Sequence, residues 1–296
     1  MYHIKRLSDC TLNETVEAWN KGFEGYFFDV RMDVDRFTSR LGNDNISASL
    51  SFVAFDGNTP IGLLLSGVKL LDKEKFAWNG GTGVASSYRR KGVGKLLVDQ
   101  ALEVYMQEGV HVATLEAIAT NEKAIKLYES KGYEIIDNVI HLTADKSFEQ
   151  SESNRYYPLY GAAVDAQYLP LYQWETPWQS QWWCMKDGQS IQLLTQEGET
   201  VAYALFKRHH SEDGTLKSVT VTHCFIKEEV DHHDKVLECL LSHLFPASTT
   251  DYQCTMAFFK TSNQKMYQFL LNKGFTHKVE QVWMKKIIKS PVIGTR

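Results

Sequence analysis

Val84-Ala85-Ser86-Ser87-Tyr88-Arg89-Arg90-Lys91-Gly92-Val93-Gly94-Lys95-Leu96-Leu97 decides how the first half of the chain is read. A strand-like stretch runs through a short basic loop straight into an amphipathic helix, Lys95–Glu108, which Gly109 stops. Gly92 and Gly94 let the backbone turn so that several N–H groups aim at one spot. The helix adds the positive end of its dipole, and Arg89, Arg90, Lys91 and Lys95 add full charges. Such a loop suits a phosphate or pyrophosphate. It is neither of two common nucleotide loops. A Walker A loop needs glycine where Arg89 stands and Ser or Thr where Leu96 stands. A dinucleotide fingerprint needs a third glycine at the position of Leu97. By itself the stretch also fits a basic surface turn.

Working outward, the flanking residues read as mixed α/β. Tyr2–Leu7 is strand-like, and Leu12, Val16, Trp19 and Phe23 make one helical face. A short helix over Asp33–Leu41 precedes two strands, Ser49–Phe55 and Pro60–Leu70, which flank the turn Asp56-Gly57-Asn58 as a hairpin. Phe76–Val84 is a strand broken by Gly80, Gly81 and Gly83, which predicts a bulge or a close backbone approach. Beyond the basic helix follow a strand at Val110–Ile118, a helix at Asn121–Lys131 stopped by Gly132, and a strand at Tyr133–Thr143. A polar, charged stretch then predicts a linker over 146–154, between a domain at 1–145 and another at 155–290.

The second half repeats the first. Asn121 precedes Gly132 by eleven residues and Asn263 precedes Gly274 by eleven, and Lys-Gly-aromatic closes both segments. Upstream, Gln189–Leu194, Thr200–Phe206 and Ser218–Phe225 read as strands, Val236–Leu244 as a helix and Tyr252–Phe259 as a strand; Asn263–Asn272 is a helix and Lys278–Met284 a strand. The element order recurs at a spacing of about 140 residues, the mark of a duplicated domain. The second loop, Phe225–Val236, has no glycine, and Glu228, Glu229, Asp231 and Asp234 would repel a pyrophosphate.

Arg89-x-x-Gly92-x-Gly94 resembles the coenzyme A signature of the GNAT N-acetyltransferases, and Asn121…Ala124…Leu127-Tyr128…Gly132-Tyr133 resembles that family's second signature. Spacing and element order agree over residues 1–145. The resemblance implies two tandem GNAT-like domains, each a central mixed sheet flanked by helices, with acetyl-CoA as co-substrate in the first. It implies that Arg89, Arg90, Lys91, Gly92, Val93, Gly94 and Lys95 hold the pyrophosphate. Thr82, Gly83 and Val84 would pair with the pantetheine arm like an added strand, and Asn121 would bond near its end. Tyr128 would protonate the departing thiolate; a phenol is neutral at pH 7 and has a proton to give. Glu116, twelve residues earlier on a strand, would take the proton of the attacking amine, with a water chain as the alternative. The position matching Tyr128 in the second half is Leu270, so that half is expected to be a degenerate GNAT-like domain without coenzyme A.

The function implied is N-acetyl transfer to a small amine or a peptide amine. A non-catalytic acyl-CoA sensor and a protein N-terminal or lysine acetyltransferase are the rival readings. The segment Trp19–Arg31, with Tyr26, Phe27, Phe28 and Asp29, is the expected acceptor side.

Composition bounds the rest. The chain has 296 residues and a net charge of −4, which argues against a nucleic-acid partner. No apolar run reaches the roughly 20 residues of a membrane-spanning helix. The N-terminal residues do not read as a signal peptide, and a cytoplasmic setting is expected. Five scattered cysteines suggest reduced thiols rather than a disulfide framework or zinc ribbon. Asp231-His232-His233-Asp234 reads as a solvated helix cap rather than a metal site, and His209-His210 as a loop. Trp174, Trp178, Trp182 and Trp183 have the spacing of a helix with an aromatic face, for core or interdomain packing or for a substrate-binding wall. Oligomeric state is not legible.

Overall fold

The computed structural model describes residues 2–71, 73–145, 148, 155–248 and 251–288. In chain order the elements are β1 (Tyr2–Arg6), α1 (Leu12–Gly22), α2 (Val34–Asn43), β2 (Phe52–Asp56), β3 (Thr59–Leu71), β4 (Glu74–Val84), α3 (Val93–Gln107), β5 (Val112–Ile118), α4 (Glu122–Glu129) and β6 (Glu134–Ala144). Then follow β7 (Tyr157–Ala162), β8 (Gln189–Leu194), β9 (Thr200–His210), β10 (Leu216–Ile226), α5 (His233–Leu244), β11 (Gln253–Lys260), α6 (Gln264–Asn272) and β12 (Thr276–Ile287). The mixed α+β class and the repeated order both match the sequence.

The chain forms two compact units, Met1–Ile136 with Val282–Arg296, and Asp137–Gln281. The sequence instead places the divide at 146–154, a segment that, Phe148 apart, lies outside the described residues. The difference comes from the last strand of each half. Ile140, Leu142 and Ala144 of β6 are buried in the core of the second unit. Val282, Met284 and Ile288 are buried in the core of the first. Alternation identifies such residues as strand but does not name the sheet they join.

In the first unit β1, β2, β3 and β4 form an antiparallel series, and β5 joins β4 in parallel. Beyond β5 comes the end of β12, where Ile288 donates its N–H to the His111 carbonyl (2.8 Å). Eight consecutive residues of β3, Pro60–Gly67, are buried, so both faces of the sheet are covered. α1 packs on β3 and β4, and α3 packs on β2, β3 and β4. The α3 residues Val93, Leu97, Val98, Ala101, Val104 and Tyr105 supply the core stripe at helical spacing. A capping box starts α1: Glu14 donates its N–H to Thr11 Oγ1 (3.2 Å), and Thr11 donates its own to the Glu14 carboxylate (2.7 Å).

The second unit runs β7, β8, β9 and β10 antiparallel, then β11 parallel to β10, then β6 antiparallel to β11. α5 packs on β9 and β10. His209 and His210 lie on β9 rather than in a loop, because the β9–β10 ladder extends to the pair Leu216↔His210. The tryptophan segment is not an α-helix. Trp178–Ser180 and Trp182–Cys184 are single 3-10 turns, separated by an extended Gln181. The buried Gln181 amide explains the break: it bonds the Tyr172 hydroxyl (2.9 Å), the Trp174 carbonyl (2.7 Å) and Thr176 Oγ1 (2.8 Å), a set that fixes an extended backbone. Trp178 and Trp183 are buried, as core packing requires.

Candidate active site

The loop after β4 makes one 3-10 turn, Ser86–Tyr88, and then reverses. Arg90 (φ 64°) and Gly92 (φ 86°) both adopt the left-handed conformation, and Gly92 is the N-cap of α3. Helix geometry leaves the N–H groups of Val93, Gly94 and Lys95 without an intrahelical acceptor. No side chain caps this end, and no acid lies in its first turn. The end is therefore built to receive an anion. Val93, 1% exposed, anchors the turn in the core. Lys91 places its ammonium over the Tyr88 ring, 5.3 Å from the centroid. Arg89 uses its guanidinium structurally, donating to the carbonyls of Val84 (2.9 Å) and Glu24 (2.7 Å).

A second feature meets this loop. β4 and β5 pair only from Phe76↔Val112 to Asn79↔Leu115, after which the two strands part. At that point β4 carries the expected bulge, since the β3 register skips from Leu65↔Gly81 to Ser66↔Asn79 and leaves Gly80 unpaired. Asn79, only 5% exposed, ties the bulge together. Its carbonyl accepts the Gly81 N–H (3.1 Å), and its amide donates to Thr82 Oγ1 (2.9 Å). Gly83 lies under the Phe23 ring, where a Cβ would come within 2.8 Å of a ring carbon.

The split opens into a cavity of about 610 Å³. Thr82, Val84, Arg89, Arg90, Gly92, Gly94, Lys95, Asn121 and Tyr128, all singled out from sequence, line it. Gly83, Lys91, Val93 and Glu116 stand off its wall. Asn121 also caps α4, accepting the Ala124 N–H (3.3 Å). Burial raises the Tyr128 pKa, opposed by hydrogen bonds from the Thr82 and Asn79 side chains. The phenol is thus protonated at neutral pH and sits at the bulge. Glu116 is the first β5 residue beyond the last β4–β5 pair. Its Oε2 accepts the Trp78 indole N–H at 2.7 Å.

Phe23, Tyr26 and Phe27 form the facing wall. Two contacts pin this segment to α1: Trp19 Nε1 donates to the Val30 carbonyl (2.7 Å), and the Asn20 amide donates to the Met32 carbonyl (2.8 Å). Burial, with the neighbouring Tyr128 adding to it, pushes the Tyr26 hydroxyl up to about 12. Asp29 is bonded by the Arg31 guanidinium, which holds its carboxyl down at about 2. Sequence reasoning missed Trp78 and Asn79. Their only sequence signal is an indole and an amide directly before the glycine-broken stretch.

In the second unit the corresponding strands part beyond Val221↔Met256. A bulge survives there too, with Thr222 skipped between Val221↔Phe206 and His223↔Leu205. Counted from the bulges, Gly80, Gly81, Thr82 and Gly83 correspond to Thr222, His223, Cys224 and Phe225. Thr222, His223 and Cys224 line the split together with Thr176, Pro177 and Ser180, and about 60 Å³ remains. His232 (φ 60°) keeps the left-handed N-cap geometry of Gly92. Asn263 caps α6, as Asn121 caps α4. Leu270 is fully buried, and Tyr267 bonds His277 (2.5 Å).

Comparison with known proteins agrees with this geometry. Residues 12–133 match the acetyltransferase (GNAT) family. N-alpha-acetyltransferase 30 of Xenopus laevis is 35% identical over 88 residues, which are 28% of this chain and 31% of that protein. The match thus spans about a third of that relative. A tandem GNAT protein from the clavulanic acid biosynthesis pathway shares the fold over 98% of this chain and 99% of its own (TM-score 0.62, 14% identity). A GCN5-related N-acetyltransferase from Sphaerobacter thermophilus does so over 98% and 97% (TM-score 0.65, 9% identity). The family match thus covers residues 12–133, and the chain as a whole shares the fold of tandem GNAT proteins. Among the described residues no helix is long and apolar enough to cross a membrane, and no cluster of three or more His, Cys, Asp or Glu side chains is arranged to hold a metal.

Proposed function

We propose that the chain is an acetyl-CoA-dependent N-acetyltransferase whose working site is the β4–β5 split of the first unit. One observation carries the reading: an uncapped basic helix start, Thr82 and Val84 of the bulged strand and the Tyr128 phenol all line one cavity. The residues suit acetyl-CoA. The N–H groups of the Arg90–Lys95 turn would hold the pyrophosphate, with Arg90 and Lys95 adding charge. The free side of β4 at Thr82–Val84 would pair with the pantetheine arm.

The amine nitrogen attacks the thioester carbonyl carbon, a C–N bond forms and the C–S bond breaks. Backbone N–H groups near Thr82–Val84 polarise the carbonyl. The leaving thiolate takes the Tyr128 proton. The proton lost by the nitrogen passes to Glu116 or to a water chain. Holding both reactants in one cleft supplies much of the acceleration.

The acceptor is a primary amine with apolar bulk, in keeping with the Phe23, Tyr26 and Phe27 wall. The 35% identity to an N-alpha-acetyltransferase over 88 residues favours a peptide amino terminus within that class. The second unit is read as a degenerate GNAT domain that binds no coenzyme A. Release of free coenzyme A thiol from acetyl-CoA, measured across small amines and peptides with free N-termini, tests the proposal. Turnover with at least one acceptor is expected. Tight acetyl-CoA binding without any turnover would make the chain an acyl-CoA sensor instead.

A further inference from the structure

We infer that Trp78 is the positioning residue for Glu116, and that Gly80 is a glycine because the Trp78 ring must lie across it. The inference rests on the proposed acetyl-transfer site and on Glu116 as its proton acceptor. Trp78 is 2% exposed, and its indole N–H meets Glu116 Oε2 at 2.7 Å. An indole nitrogen can only donate, so this contact takes a carboxylate oxygen as its acceptor and fixes which way that oxygen faces. The two residues flank the place where β4 and β5 part: Trp78 pairs with Thr114, and Glu116 follows the last pair, Asn79↔Leu115.

The ring itself is trapped. A Cβ at position 80 would stand 2.5 Å from Trp78 Cζ3 and 2.9 Å from Cε3 and Cη2. A side chain there would displace the indole and with it the Glu116 contact. The Gly80 carbonyl is held in turn by Arg40 Nη2 (2.6 Å). Arg40 is itself fixed, its Nε bonding Asp44 at 3.2 Å and its guanidinium lying 4.4 Å from the centre of the Trp19 ring. Arg40, Gly80, Trp78 and Glu116 thus form one chain of contacts ending on the Glu116 carboxylate.

A double-mutant cycle on the full chain tests this, using Trp78→Phe, which keeps a ring and loses the N–H, Glu116→Gln and the pair together. Acetyl transfer is read with the fastest acceptor of the amine and peptide panel, and the Trp78 indole N–H resonance is followed by NMR. Trp78→Phe should lower kcat about tenfold, the scale of a hydrogen bond to a charged group, with the KM for acetyl-CoA unchanged. In the Glu116→Gln background the same change should cost nothing further, and Glu116→Gln should move the indole resonance. Additive losses would mean that Trp78 acts by packing alone and would overturn the inference, as would an indole resonance indifferent to Glu116→Gln. A Glu116→Gln protein as fast as wild type would remove Glu116 as proton acceptor and the inference with it. Absence of transfer by wild type would instead sink the acetyltransferase reading, and the indole resonance alone would then judge the contact.

Discussion

The two units carry the same bulge, the same parting of parallel strands and the same left-handed turn before a helix, yet one split holds about 610 Å³ and the other about 60 Å³. Backbone shape alone does not make the site. In the first unit Gly80, Gly81 and Gly83 let the Trp78, Trp19 and Phe23 rings pack against the strand, and the turn is basic. In the second, Thr222, His223 and Cys224 line the split with Pro177 and Ser180, and acids surround the helix start. The shared Asn caps and the glycines at Gly132 (φ 80°) and Gly274 (φ 86°) are therefore marks of the fold. The side chains around the split mark the chemistry.

The comparison can be broken most directly at the proposed acid, Tyr128. Tyr128→Phe should lower kcat about a hundredfold, within the usual range for losing a general acid. Its stabilisation by acetyl-CoA should persist, and steady-state rates with melting curves read both. Any comparable loss from Tyr267→Phe in the second unit would contradict the assignment of roles. Next in size, Gly80→Ala should destabilise the first unit by about 1–3 kcal/mol, the cost of forcing a methyl into packed space. Chemical denaturation measures it. A neutral result would mean that the Trp78 ring moves freely.

A smaller effect separates the units by pH. Burial presses the His223 imidazole down to about 3, with the Ser180 carbonyl opposing and Lys260 adding to the fall. Its Nε2 meets the Tyr203 hydroxyl at 2.9 Å. An unfolded histidine titrates near 6.5. Above that pH the full stability is present. As pH falls from about 6.5 towards 3, the unfolded chain takes up a proton that the folded unit refuses. Stability should then fall by about 1.4 kcal/mol per pH unit from this group. His223→Gln should flatten that slope, as denaturation at stepped pH would show; an equally steep slope would relieve His223 of the role. Smallest of all, Asp29→Asn should leave the melting temperature unchanged, because the Asp29–Arg31 pair is fully exposed.

Much of this was legible in the sequence because it is local. Helical spacing found α1 and α3, the glycines found the bulge, and the Asn-to-Gly repeat found the duplication. The basic loop and Tyr128 came from two motifs of which Arg89, Gly92, Gly94, Asn121, Ala124, Leu127 and Tyr128 line one cavity. The rest depends on partners distant in sequence. Alternation marks β6 and β12 as strands but cannot say that each completes the other unit's core. Tyr157–Ala162 was passed over because Pro158, Gly161 and exposure on every residue leave no period-two pattern. The tryptophan spacing suggested a helix that the Gln181 amide forbids. Trp78 and Glu116 lie 38 residues apart, and only the parallel pairing of β4 and β5 brings them together.

The central claim is that one unit alone binds acetyl-CoA, through the turn at Gly92. The measurement is the melting temperature of wild type and of Gly92→Glu, each with and without millimolar acetyl-CoA. A ligand confined to the folded state stabilises by about 2.7 kcal/mol at one hundred times its Kd. The account predicts a rise for wild type and none for Gly92→Glu. An equal rise in both would place the ligand elsewhere, and no rise in either would contradict the site.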